Sequence, residues 1–321
     1  MRSKHGGEKP VNRRSEGEAL VVSRRGEWTE YVYIGHAAVV DADGRLVAWA
    51  GDPGGMTGLG WAARPFAAIP LILGGLRERN EWSEADVAQL AGSQADGEAN
   101  CRSLHAGALA LCRRYNWPAA GYTRPEHPLQ KETQRRVAEF AGVGEGVPGH
   151  VRDDCGFPGF VLPLWRIALM YARLASPPAG WADVALRGAA DSVAGAMLAR
   201  PDLAGAGGSL ARLLLEGGAV AANAGPGRLA FALPRERLGV VIAMEADSNT
   251  ALPAATAAIV EDIAEAFGEE EAADDNAGAS LAGLAASIRS RFPAERLNVG
   301  GEPVGRHEAG ERLAFADGLR R

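Results

Sequence analysis

Strand signals at both ends of the chain, with helices gathered between them, most restrict what it can fold into. Residues 20–53, "LVVSRRGEWTEYVYIGHAAVVDADGRLVAWAGDP", alternate apolar and polar side chains around the turn "DADG", the pattern of antiparallel hairpin strands. Residues 227–234, "GRLAFALP", and 238–248, "LGVVIAMEADS", repeat the alternation around "RERLG", and residues 253–267, "PAATAAIVEDIAEAF", read as a helix packed on them. Backbone groups of separated strands need partners. The order therefore predicts an α+β layer in which N-terminal and C-terminal strands share one antiparallel sheet.

The middle reads as helices. Residues 62–76 are apolar and punctuated by Pro65 and Pro70. In "WSEADVAQLAG", Ser83 caps a helix, Asp86 stands three residues on and Gly92 ends it, a capping-box arrangement. The run "SLHAGALALCRRYNW" places Leu104, Ala108, Leu111 and Cys112 on one stripe, with Ser103 set to cap it. A third helix is "HPLQKETQRRVAEFAGV", with Pro128 in its first turn. After a glycine-rich break over 142–149, "RDDCGFPGFVLPLWRIALMYARLA" reads as a turn and a long apolar helix, and "DVALRGAADSVAGAMLARPD" as another. The expected organisation is a disordered leader over residues 1–19 and a single domain over 20–321, with a flexible acidic connector near 269–280.

Charge and cysteine content exclude some function classes. The net charge of −6 owes much to the run from Glu261 to Asp275 and offers nothing to attract nucleic acid. No apolar run approaches the roughly 18–20 residues of a membrane span, and the N-terminus lacks the apolar core of a secretory signal. Three cysteines, Cys101, Cys112 and Cys155, are an odd number in a chain long enough to fold without staples. That count fits a reducing cytoplasm better than a disulfide framework.

Several phrases in order, "SRRGEWTE…GHAAVVDADGRLV", "ARPFAAIPL", "NCRSLHAGALAL", "GYTRPEHPLQ", "DDCGFPGFVLPL", "RPDLAGAG" and "LNVGGEPVG", resemble the bacterial asparaginase II family, also described as Rhizobium-type or class 3 asparaginases. The resemblance runs from Leu20 to about Arg306. It implies a fold like serine β-lactamases and glutaminases, hydrolysis of the asparagine side-chain amide, two Ser/Lys pairs, a zinc held by two Cys and a Lys, and a homodimer.

The departures fall at the functional positions. Trp61 stands at the family's first serine and Arg64 at the lysine of that pair. Trp cannot be acylated, and Arg stays protonated, so it is no base. Ser93 fits the second serine, but its lysine falls near Ala222, and a further family lysine falls at Ala243. A family block of several tens of residues is missing before Asn100. Cys101 and Cys155 match the two zinc cysteines, while Leu104 replaces the lysine ligand.

Three readings stay open for the cysteines. Cys101 and Cys155 could keep a zinc, with Asp154 or His105 as added donors, since thiolate and imidazole suit that ion. Either could be a nucleophile assisted by His105. Both could equally be buried as small hydrophobes; Cys112, on the apolar stripe, is core. Arg64 could clamp a substrate carboxylate or form a structural ion pair. Trp61 could pack on the substrate. Glu98 aligns with a family glutamate, and it and Asp96 could act as acid and base or be surface loop residues; Tyr33 reads as packing. The expectation is a diverged asparaginase-like enzyme for an amide or amino-acid-like small substrate, with altered, zinc-assisted chemistry at Ser93, Cys101 or Cys155. The alternative is a non-catalytic homologue binding a small ligand or a partner protein.

Overall fold

Alternating side chains near the N-terminus form β1 (Glu18–Arg25), β2 (Trp28–Asp41) and β3 (Leu46–Ala50). The "DADG" turn joins β2 to β3, held by the Asp41 carboxylate, which accepts from the Asp43 and Arg45 amides. The short β4 (Met56–Gly58) leads into a 3-10 turn over Gly60–Ala63 and then α1 (Arg64–Leu73). Pro65 occupies the first turn of α1, where a missing N–H costs nothing, and Pro70 lies inside the helix. Next come α2 (Glu84–Ala91), α3 (Glu98–Arg114), α4 (Pro128–Ala141), β5 (Gly149–Arg152), β6 (Pro158–Pro163), α5 (Leu164–Ala175), α6 (Val184–Ala199), α7 (Pro201–Ala204) and α8 (Leu210–Glu216). The chain closes with β7 (Val220–Gly225), β8 (Arg228–Leu233), β9 (Leu238–Met244), α9 (Leu252–Phe267), α10 (Leu281–Arg291), β10 (Glu295–Leu297), β11 (Pro303–Ala309) and β12 (Ala314–Phe315). This computed structural model describes residues 17–77, 82–93, 98–144, 149–153, 155–246, 248–267 and 280–316. Most of the expected leader and most of the expected acidic connector lie outside the described residues; the leader's last two residues, Glu18 and Ala19, instead begin β1.

The main sheet runs β10-β11-β1-β2-β9-β8-β7, with β3 also paired to β2 and β12 paired to β3. Every pairing is antiparallel, and β2 lies against β9 over Gly35–Asp41. The ends of the chain therefore share one sheet, as the α+β reading expects. A second sheet, β4-β6-β5, lies off it. Helix α5 packs on β9, β8 and β2 at close range, because a Cβ at Gly239 would stand 1.9 Å from the Ala168 carbonyl oxygen. Helices α9 and α10 pack on each other.

One local expectation is corrected: Ser103 is interior to α3, which starts at Glu98. The stretch "AVAANAG", for which the sequence suggested no element, includes β7, whose small side chains are mostly buried. Ser83 does form a capping box with Asp86, and Leu104, Ala108, Leu111 and Cys112 are all in the core.

Candidate functional site

The 3-10 turn and the start of α1 carry Trp61 and Arg64 to the β7 edge of the main sheet. Gly60 makes that approach possible. Its φ is +51° and a Cβ there would stand 2.2 Å from the Ala224 carbonyl oxygen, so a side chain would push the turn off β7. From behind, the buried Tyr171 hydroxyl donates to the Ala62 carbonyl at 3.0 Å, and burial holds its pKa well above the ordinary phenol value.

Arg64 is 3% exposed. Its Nη1 donates to the Gly92 carbonyl at 3.2 Å, and its Nη2 lies 3.1 Å from both Cys101 Sγ and Cys155 Sγ. Those two cysteines are joined in a disulfide that ties α3 to the segment before β6. This corrects the expectation of free thiols: in this form neither sulfur is a thiolate, so neither carries the nucleophile role as it stands. The site does not fit zinc either. The ion needs separate thiolate donors, and here the sulfurs are bonded to each other with the Arg64 cation beside both.

The remaining candidates are scattered among structural duties. Ser93 is 2% exposed; its amide donates to the Ala204 carbonyl at 3.0 Å and its Oγ accepts from the Asn223 amide at 2.8 Å. Ala222 and Ala243 stand on β7 and β9 without any basic group to offer. His105 Nδ1 pairs with the Tyr122 hydroxyl at 2.6 Å and its ring lies against Phe157. Leu104 is buried. Cys112 is buried too, and desolvation pushes its thiol pKa up. Tyr33 meets the His307 ring edge-on, a packing role. Trp61 is half-buried beside Arg64. Asp96 and Asp154 lie outside the described residues, as does the side chain of Glu98. Among the described residues no group of three or more His, Cys, Asp or Glu is placed to hold a metal, and no helix is long and apolar enough to cross a membrane.

A second feature escaped the sequence reading. A cleft of about 540 Å³ opens between the ends of β2, β8 and β9 and the segment around β4, lined by His36, Asp52, Met56, Arg228, Met244 and Glu245 among others. These residues are far apart in sequence, and only the polar residue closing the apolar run "LGVVIAME" gave a local signal.

An antiparallel sheet with helices packed on it defines the class of fold, α+β. A profile of the L-asparaginase II family matches residues 21–99 and 94–283, and the chain belongs to that family. A search of curated protein sequences gave no match. Among solved structures, the chain is similar to Mglu in its native form at 18% identity and a TM-score of 0.42, covering 65% of this chain and 59% of that one. It is similar to Mglu in its glutamate form at 16% identity and a TM-score of 0.42, covering 80% and 59%. A beta-lactamase from Mycobacterium bovis matches at 12% identity and a TM-score of 0.43, over 71% and 94%. The chain thus spans 59% of the native Mglu chain.

Proposed function

We propose that this chain is an asparaginase II-family protein that does not hydrolyse amides by serine chemistry and instead binds an amide or amino-acid-like small molecule. One observation carries the reading: the residue at the position of the family's lysine base, Arg64, is held by the Gly92 carbonyl and by both sulfurs of a disulfide. A serine hydroxyl needs a base to take its proton, and a guanidinium cannot do so. Ser93 supports the same view, because it is 2% exposed and the positions read against the family's lysines are the alanines Ala222 and Ala243, which offer no base for its hydroxyl proton.

The test is ammonia release from L-asparagine and L-glutamine by the purified protein, run beside thermal unfolding with each compound. The reading expects stabilisation without ammonia, since a ligand that binds only the folded state raises its apparent stability. Steady ammonia release that Ser93→Ala, Cys101→Ser or Cys155→Ser abolishes would overturn it. That result would restore the enzymatic alternative with Ser93 or a cysteine as the reacting group and zinc on the reduced cysteine pair.

A further inference from the structure

The cleft between the ends of β2, β8 and β9 carries both signs of charge on fixed side chains. His36 Nδ1 accepts from the Asp52 amide at 2.9 Å, which leaves the imidazole proton on Nε2. That Nε2 donates to Glu245 Oε1 at 3.2 Å, so a neutral ring orients the Glu245 carboxylate. Across the lining, Arg228 is half-buried and its Nη1 donates to the Gly58 carbonyl at 3.3 Å. Among the described residues no carboxylate pairs with Arg228. An arginine anchored through one nitrogen keeps further N–H groups in the fork geometry that matches a carboxylate.

The mixture of charges narrows the ligand. A phosphate or a dianion would meet Asp52 and Glu245 in the same lining, and a simple cation would meet Arg228. Pro226, Met56, Leu164 and Met244 add an apolar wall. A volume of about 540 Å³ lies in the range of small-molecule sites.

We infer that this cleft is a binding site for a free α-amino acid or similar zwitterion, its carboxylate on Arg228, its ammonium on Glu245, and its side chain along the Met56–Leu164–Met244 wall. The inference rests on the small-molecule reading above and gives it a place distinct from Ser93 and the Arg64 cluster.

The experiment is isothermal titration of the full chain with L-asparagine, L-glutamine, L-aspartate and L-glutamate, followed by the N-acetyl derivative and the methyl ester of the tightest of the four. Blocking either end is expected to weaken binding at least tenfold, because each removes one charge-assisted contact. Arg228→Gln should weaken the free amino acid tenfold or more and abolish the advantage of the acid over its methyl ester. Glu245→Gln should do the same for the free amine against the N-acetyl form. No binding of any of the four, or binding indifferent to both blocked ends, overturns the inference, and the blocked ligands decide this on the unaltered protein even where a variant fails to fold. Ammonia measured in the same cells separates the two claims. Hydrolysis would sink the non-hydrolytic reading, whereas tight binding that ignores Arg228→Gln and Glu245→Gln would sink only the cleft.

Discussion

Breaking the Cys101–Cys155 bond should cost this protein a large share of its stability. The bond closes a ring with a sequence separation of 54. Loop-closure entropy for a ring of that size is about 14 cal/mol/K, which is about 4 kcal/mol at 25 °C. Arg64, 3% exposed, has both sulfurs as hydrogen-bond acceptors, and reduced thiols can still accept there. The double variant Cys101→Ser, Cys155→Ser keeps hydroxyl acceptors there and so isolates the entropic part. Guanidinium unfolding of the oxidised protein, the phosphine-reduced protein and the double variant is the assay, with a drop of about 4 kcal/mol expected in the last two and a fall in Tm of roughly 6 °C. Oxidised and reduced curves that superimpose within about 1 kcal/mol, well inside the loop-entropy figure, would refute the reasoning.

Other expectations follow from single contacts. Ser93→Ala leaves the Asn223 amide without its acceptor and should cost about 1–3 kcal/mol, read by chemical denaturation. Gly60→Ala puts a Cβ against the Ala224 carbonyl oxygen in a left-handed backbone and should cost about 3 kcal/mol or more, seen as a lowered Tm or loss of soluble protein. His307 has its pKa lowered by burial and by the Arg296 charge. A histidine depressed in the fold binds its proton more readily when unfolded, so its stabilisation is present above its ordinary value of 6.5 and is lost as pH falls below that; His307→Gln should flatten the stability profile between about pH 7 and 5. Metal analysis of protein purified without reductant should find no stoichiometric zinc, and zinc that both Cys101→Ser and Cys155→Ser remove would contradict the disulfide assignment.

Much of the scaffold was legible because local chemistry and global fold agree. Ser83 with Asp86 starts a helix wherever it lies, Pro128 suits a first turn, and β8 and β9 are strands as read, although they are buried along nearly their whole length rather than on alternate residues. Strand β7 was not legible: "VAANAG" has one β-branched residue, and only its ladder with β8 makes it a strand. Ser103 misled because a cap residue is also tolerated inside a helix, and the true start lies upstream. At the site, Arg64, Ser93, Cys101 and Cys155 could be named as candidates from the sequence, but their joint state could not. Pairing among three cysteines cannot be read from spacing, and a guanidinium beside two sulfurs depends on three separated segments meeting. The cleft was hidden for the same reason, since Arg228, His36 and Glu245 converge only when their strands align.

Strand β7 ends the main sheet, and an open sheet margin invites another chain to add a strand there. Here the Gly60 turn lies on its backbone and the Ser93 hydroxyl occupies the Asn223 amide. Ser93 thus covers one backbone amide of that margin. Its loss should therefore surface as concentration-dependent association, even where the isolated molecule still folds.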